Sequence, residues 1–248
     1  MDQRGAVFFD RDGTIIQEKG YLRDPEALEL IPGAALAIRL INRLGLRAVV
    51  VSNQSGVARG YFSATRLEEI NRHVLLLLAQ EGAHVDAIYY CPHHPADGCT
   101  CRKPEPGMLL KAAAELQLTL PHSYLAGDKG ADIRAIHRVG GKGILVLTGY
   151  GKEELGGCTG DPPDFVAHDL LEATYWILVQ ESEKRRNEMA INKELLKILA
   201  CPKCKGDIVL TKQGDGLICK ACKLIYPIKD DIPVMLIDEA LPYKGKKR

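Results

Sequence analysis

The sequence predicts an α/β fold: a doubly wound parallel sheet with no large cap, followed by a small cysteine-bearing β module. Three observations carry this reading. Short apolar runs alternate with helical patterns over the first 180 or so residues, as in a parallel sheet covered on both faces. Acidic residues follow two of those runs, Asp10 directly and Asp128 after one glycine. Beyond residue 185 stand four cysteines in two Cys-x-x-Cys pairs.

Ala6–Phe9, Arg47–Val51, Ala87–Tyr90, Tyr124–Ala126 and Gly143–Leu147 read as strands. Helical patterns cover Pro32–Leu44, Ser63–Gln80, Pro106–Leu116 and Ala131–Val139. Ser63 is placed to cap the second, and Pro106 suits the first turn of the third. A further strand-helix unit, Phe165–Ala167 and Leu170–Val179, closes the domain. The charged stretch Glu181–Met189 reads as a helix end or linker, so the expected divisions are 1–184, 185–240 and a basic tail, 241–248. Trp176 reads as packing, His73 as a helix-face residue and Cys158 as a free thiol in a Gly-rich loop.

Hydrophobic residues make up 46% and charged residues 26%, ordinary for a globular chain. The net charge of +1 conceals an asymmetry: residues 183–248 hold 15 Lys+Arg against 9 Asp+Glu, the remainder 18 against 23. A basic module on a mildly acidic body fits two functions, and equally a solvated lysine-rich surface. No apolar run approaches the roughly 20 residues of a membrane span. The first acidic pair begins at the tenth residue, which leaves no room for a cleavable leader. The expectation is a cytoplasmic protein whose eight cysteines serve metal rather than disulfides.

Asp10-Arg11-Asp12-Gly13-Thr14 follows the strand Ala6–Phe9, so two carboxylates can point into the crevice at the strand ends. Attack on a phosphoryl group needs an anionic oxygen, with a metal to offset the repulsion between anions; Asp10 fits. The departing oxygen needs a proton donor, and Asp12 fits. Ser52, after Arg47–Val51, and Lys103 can hold the phosphoryl oxygens. Asp128, after Tyr124–Ala126, is suited to hold Mg²⁺ with Asp10. The set resembles the haloacid dehalogenase superfamily. That resemblance implies Asp10 as nucleophile, Asp12 as general acid and then base, and Mg²⁺ on the Asp10 carboxylate, the Asp12 main-chain carbonyl and Asp128. The spacings from Thr14 to Ser52 and from Ser52 to Lys103 leave no room for a large cap, so short loops must choose the substrate.

Cys91, His93, Cys99 and Cys101 place three thiols and an imidazole within eleven residues, a structural Cys₃His zinc set, with His94 a competing ligand. Four protein ligands leave no open position for water, so the zinc would be structural. It would fix the loop that delivers Arg102 and Lys103.

Further matching stretches are Gly20-Tyr21, Val51-Ser-Asn-Gln-Ser-Gly-Val-Ala-Arg-Gly60, Tyr89–Pro95, Cys101–Pro104 with Pro106–Met108, and Gly127-Asp-Lys129 with Asp132. Together with the acidic pair they resemble the bacterial heptose-bisphosphate phosphatase family. The resemblance implies loss of the C7 phosphate from D-glycero-D-manno-heptose 1,7-bisphosphate, a step toward nucleotide-activated heptose for lipopolysaccharide. It also implies that Glu18, Lys19, Gly20, Tyr21, Ser52, Asn53, Gln54, Ser55, Arg102, Lys103 and Lys129 contact the substrate. Ser52 stands where Thr is common, and the loop between His93 and Cys99 is shorter than in some members. Histidinol-phosphate phosphatases share the aspartates and the zinc loop and remain the alternative.

Cys201, Cys204, Cys219 and Cys222 have zinc-ribbon spacing, with Gly206, Gly214 and Gly216 expected to supply turns. A module this small needs zinc for much of its folding energy. Residues 190–240 resemble small bacterial zinc-ribbon proteins related to a methyltransferase activator subunit, which implies partner binding rather than catalysis. A scaffold acting through this ribbon is the reading from another functional class. The phosphatase domain is expected to meet a sugar bisphosphate, and neither membrane nor nucleic acid.

Overall fold

The computed structural model describes residues 5–157, 160–184, 199–211, 213–229 and 232–243. Cys158, most of the expected linker and residues 244–248 lie outside the described residues. The elements follow in order as β1 (Ala6–Phe9), α1 (Ala34–Arg43), β2 (Arg47–Asn53), α2 (Ala64–Gln80), β3 (Ala87–Cys91) and α3 (Gly107–Leu116). Then come β4 (Tyr124–Gly127), α4 (Gly130–His137), β5 (Lys142–Val146), α5 (Gly151–Glu154), β6 (Phe165–Ala167) and α6 (Leu170–Lys184).

The first six strands form one parallel sheet in the order β3-β2-β1-β4-β5-β6. The order reverses at β1, so the ends of β1, β2 and β4 open onto a shared crevice. β1 is buried at every position, as a central parallel strand covered on both faces must be. Phe8, Val49, Val51 and Leu125 from three neighbouring strands belong to one apolar cluster with Met108, Leu109 and Ala112 of α3 and Ala135 and Ile136 of α4. Each fully buried Leu or Ile contributes about 1.5–3 kcal/mol.

Local chemistry sets the helix ends. The Ser63 hydroxyl accepts the Arg66 N–H at 3.1 Å, the cap expected for α2. Helix α1 begins at Ala34 rather than Pro32, because Gly33 at φ 88° is left-handed and cannot be a helical residue. Strand β2 continues to Asn53, two residues past its expected end, because Ser52 and Asn53 stay in register with Tyr90 and Cys91 of β3. Helix α5 was not visible in the sequence; four residues are too few to show a period.

The chain divides into two compact units, Met1–Ala173 and Thr174–Arg248. The division falls eleven residues ahead of the expected 184/185, inside α6. The reason is Tyr175, only 1% exposed, whose hydroxyl donates to Ala200 O at 2.6 Å and accepts Ala200 N–H at 3.2 Å. Most of α6 therefore packs with the C-terminal module.

That module is an antiparallel sheet of β7 (Val209–Leu210), β8 (Gly216–Cys219), β9 (Leu224–Lys229) and β10 (Ile232–Pro233), with β11 (Leu241–Pro242) also on β9. Cys219 and Cys222 lie at the β8–β9 hairpin tip, and Cys201 and Cys204 at a turn closed by the Ala200–Asp207 bridge. Gly214 supplies a left-handed turn residue, but Gly206 and Gly216 do not. Lys205 at φ 60° and Lys223 at φ 55°, each directly after a Cys-x-x-Cys pair, take that conformation instead.

Candidate active site

β1 and β4 are neighbours, so the acids that follow them meet. Asp10 N–H donates to Ala126 O at 2.9 Å, which locks the two strand ends together. Asp10, Asp128 and Asp132 each offer a carboxylate oxygen within 4.8 Å of the others, and all three are buried. Asp132 comes from the first turn of α4 and was not among the candidate site residues. Its signal was thin: one acid three residues past Lys129, where a helix cap would serve as well. It does cap, accepting Lys129 N–H at 3.1 Å.

Lys103 reaches this cluster from the segment after the cysteine loop. Its Nζ lies 2.9 Å from Asp10 Oδ1 and 2.5 Å from Asp132 Oδ1, and donates to Val51 O at 2.7 Å. Burial alone would lower the Lys103 pKa, but Asp10 and then Asp132 outweigh it and hold the ammonium charged. Asp128 is pushed up to about 7 by burial and then by Asp10. Among the described residues its Oδ1 is buried with no hydrogen-bond partner, and Lys129 Nζ lies 3.6 Å from it. A buried oxygen without a donor among the described residues, beside two further buried carboxylates, is a donor set for a hard divalent cation such as Mg²⁺. The Asp10 and Asp128 carboxylates and the Asp12 carbonyl would hold it.

Asp12 is gripped from the side. Arg11, 2% exposed, donates to Asp12 Oδ2 through Nη2 at 2.9 Å, and Gln54 Nε2 donates to the same oxygen at 2.7 Å. Arg11 Nη1 is anchored on Asn71 Oδ1 of α2 at 2.8 Å. Gln54 Nε2 also reaches Ser52 Oγ at 2.7 Å. Neither Arg11 nor Asn71 was a candidate; a buried Asn in a helix has no sequence signature.

A cavity of about 380 Å³ opens over these groups. Of the expected substrate contacts, Glu18, Gly20, Tyr21, Ser52, Asn53, Gln54, Ser55, Arg102, Lys103 and Lys129 line it. Lys19 does not: its ammonium is taken up by Ala27 O at 2.8 Å and Glu29 at 2.7 Å. Arg102 Nη1 is buried with no hydrogen-bond partner among the described residues. Lys129 Nζ sits 4.6 Å over the Tyr150 ring, which also lines the cavity. Tyr21 packs edge-on against Tyr61, centroids 4.4 Å apart.

The cysteine loop closes as expected. Cys91, His93, Cys99 and Cys101 bring one ligand atom each within 4.8 Å, with His93 Nδ1 3.2 Å from Cys101 Sγ. His94 drops out as a competing ligand, because its Nδ1 accepts Ala96 N–H at 3.2 Å as a turn cap. Three thiols and an imidazole fit zinc. In the C-terminal module, Cys201, Cys204, Cys219 and Cys222 gather to the same closeness, with the buried Tyr226 hydroxyl 3.3 Å from Cys201 Sγ. No helix among the described residues is long and apolar enough to cross a membrane.

A HAD-hydrolase-like family model matches residues 100–173, and a Trm112p-like protein model matches residues 192–231. The parallel sheet and the acids at its strand ends thus define an enzyme of the HAD phosphatase class, joined to a Trm112p-like module. A D-glycero-D-manno-heptose-1,7-bisphosphate 7-phosphatase from Thermosynechococcus vestitus is 42% identical over 187 residues, 70% of this chain and 95% of the relative. The D-glycero-beta-D-manno-heptose-1,7-bisphosphate 7-phosphatase of Escherichia coli K12 is 42% identical over 153 residues, 58% of this chain and 80% of the relative. The crystal structure of D,D-heptose 1,7-bisphosphate phosphatase from B. bronchiseptica, complexed with magnesium and phosphate, superposes with a TM-score of 0.66. It is 36% identical and covers 71% of this chain and 99% of its own. The chain belongs to the heptose-1,7-bisphosphate 7-phosphatase family.

Proposed function

We propose that this chain removes the C7 phosphate of D-glycero-D-manno-heptose 1,7-bisphosphate through an aspartyl-phosphate on Asp10. The observation that carries the substrate class is Arg102, whose Nη1 is buried and without a hydrogen-bond partner among the described residues, lining the same cavity as the Asp10–Lys103 pair. Lys103 suffices for the transferring phosphoryl group; Arg102 and Lys129 offer positive charge for a second.

In the first half-reaction a carboxylate oxygen of Asp10 bonds to phosphorus, the P–O7 bond breaks, and the leaving oxygen takes a proton from Asp12. Asp12, now a carboxylate, takes a proton from water as that water attacks phosphorus. The bond to Asp10 breaks and inorganic phosphate leaves. Ser52 and Lys103 hold the phosphoryl oxygens throughout. When bound, Mg²⁺ supplies charge that offsets the repulsion between the Asp10 carboxylate and the phosphoryl anion. For Asp12 to meet the leaving oxygen, it must exchange its contacts with Arg11 and Gln54 for that atom.

Phosphate release from the heptose bisphosphate and from histidinol phosphate, compared as kcat/KM, tests the assignment. Preference for histidinol phosphate would sink it. The Trm112p-like match supports partner binding by the C-terminal module, and Val209, Leu210 and Leu241 expose apolar surface there. Removing residues 174–248, the whole second unit, should leave phosphatase turnover unchanged and abolish binding of that partner; a loss of turnover would argue against separate roles.

A further inference from the structure

Asn53 does something other than touch substrate. Its side-chain amide makes a reciprocal pair with the backbone of one residue, Lys103: Nδ2 donates to Lys103 O at 3.0 Å, and Oδ1 accepts Lys103 N–H at 3.0 Å. The two bonds use both faces of the amide, as a neighbouring strand would. Two residues earlier on the same strand, Val51 O accepts from Lys103 Nζ at 2.7 Å. Strand β2 therefore holds Lys103 at both ends, backbone and ammonium.

Nothing else along the loop gives Lys103 itself a comparable anchor. The cysteine loop is tied down at its start, where Gln54 N–H donates to Cys91 O at 2.7 Å and Ala58 N–H to Pro92 O at 3.2 Å. Near its end Gly107 N–H reaches back to Thr100 O at 3.0 Å. Between those ties, the peptide of Lys103 rests on Asn53. Lys103 must place its ammonium against Asp10 and Asp132 within a few tenths of an ångström, and misplacement by about 1 Å can cost about 100-fold in rate.

We propose that Asn53 is a positioning residue: it fixes the Lys103 peptide so that the ammonium arrives at Asp10 already aimed. The inference rests on the proposed roles of Asp10 and Lys103. It differs from the substrate-contact role in what each role predicts for different substrates. A contact to the sugar or to the second phosphate matters only for the bisphosphate. An aimed Lys103 matters for every phosphate ester.

The test measures kcat and KM of Asn53→Ala with the heptose bisphosphate and with p-nitrophenyl phosphate, which has neither sugar nor second phosphate. Zinc content and melting temperature are recorded for each variant. The expected result is a fall in kcat of about 10- to 100-fold on both substrates, with KM for the bisphosphate within about twofold and zinc retained. A raised KM confined to the bisphosphate, with p-nitrophenyl phosphate turnover intact, would overturn the inference in favour of a substrate contact. Unchanged kcat on both substrates would also overturn it, while an inactive Asp10→Asn chain would leave the site reading standing. An Asp10→Asn chain that keeps its turnover would overturn both. If Asn53→Ala does not fold, Asn53→Asp provides the same comparison, since it keeps the acceptor for Lys103 N–H and loses the donor to Lys103 O.

Discussion

Lys103 Nζ lies 2.9 Å from Asp10 Oδ1, with the two side chains only 4% and 8% exposed. The fold itself brings the two charges together, so the charges that the proposed site offers to a phosphoryl group are held in low-dielectric surroundings. Such preorganisation spares the reaction the cost of turning solvent.

The first prediction concerns Asp10, the proposed nucleophile. Asp10→Asn keeps the shape but cannot attack phosphorus, and its amide is a poor ligand for Mg²⁺. Turnover should fall by at least about 1,000-fold. Residual activity within tenfold of the unaltered chain would count against an aspartyl-phosphate.

Removing Lys103 tests stability as well as rate. Lys103→Met leaves Asp10 and Asp132 buried together without their shared cation, a change that typically costs about 3–5 kcal/mol. Chemical denaturation should show that loss, partly recovered by adding Mg²⁺. A variant as stable as the parent would count against Lys103 as the cation that the two acids share.

Two glycines hold the Asp128 carboxylate by having no side chain. A Cβ on Gly149, at φ 52°, would fall 2.3 Å from Asp128 Oδ2 and 2.6 Å from Gly13 Cα. Gly149→Ala should therefore cost about 1–3 kcal/mol in backbone strain and raise the Mg²⁺ needed for half-maximal turnover at least about tenfold. Gly140→Ala is the control, left-handed at φ 76° but meeting only Pro121 at 3.7 Å. It should lose stability and keep the parent's Mg²⁺ requirement.

His137 donates or accepts at both ring nitrogens, 2.6 Å from Asp161 and 2.8 Å from Asp164. Burial would lower its pKa, but the two carboxylates, Asp161 first, outweigh burial and raise it above the usual 6.5. A raised folded pKa stabilises fully below the unfolded value and is lost as pH rises through the folded one. The melting temperature of His137→Gln should thus fall furthest below the parent near about pH 6 and converge with it by about pH 9. A gap that widens with pH would reverse the assignment.

The metal content should be two zinc ions per chain. Cys204→Ser should lose one and keep kcat within about twofold; Cys99→Ser should lose the other and turnover with it. Elemental analysis finding one zinc in the unaltered chain would leave one four-ligand cluster without metal.

The strands and the acids at their ends were legible because a buried parallel strand writes a dense apolar run, and Asp10 and Asp128 follow such runs at once. The cysteine sets were legible from spacing alone. Asp132, Arg11 and Asn71 were not. Each acts through a partner distant in sequence, as Arg11 does through Asn71 sixty residues on. Lys19 was misread because a resemblance assigns a loop as a block, whereas Glu29 competes for one side chain within it. The division inside α6 was hidden for the same reason, since the Tyr175–Ala200 clamp depends on a fold that Tyr175 itself does not encode.

The groups proposed to act on the phosphoryl group here are oxygens and one amine, yet the segment that presents the amine is folded around three sulfurs. Peroxide or cadmium, neither of which resembles a sugar phosphate, would therefore reach turnover through the loop while leaving every reacting atom chemically untouched. The price of holding Lys103 so firmly is that the enzyme inherits the vulnerabilities of thiols.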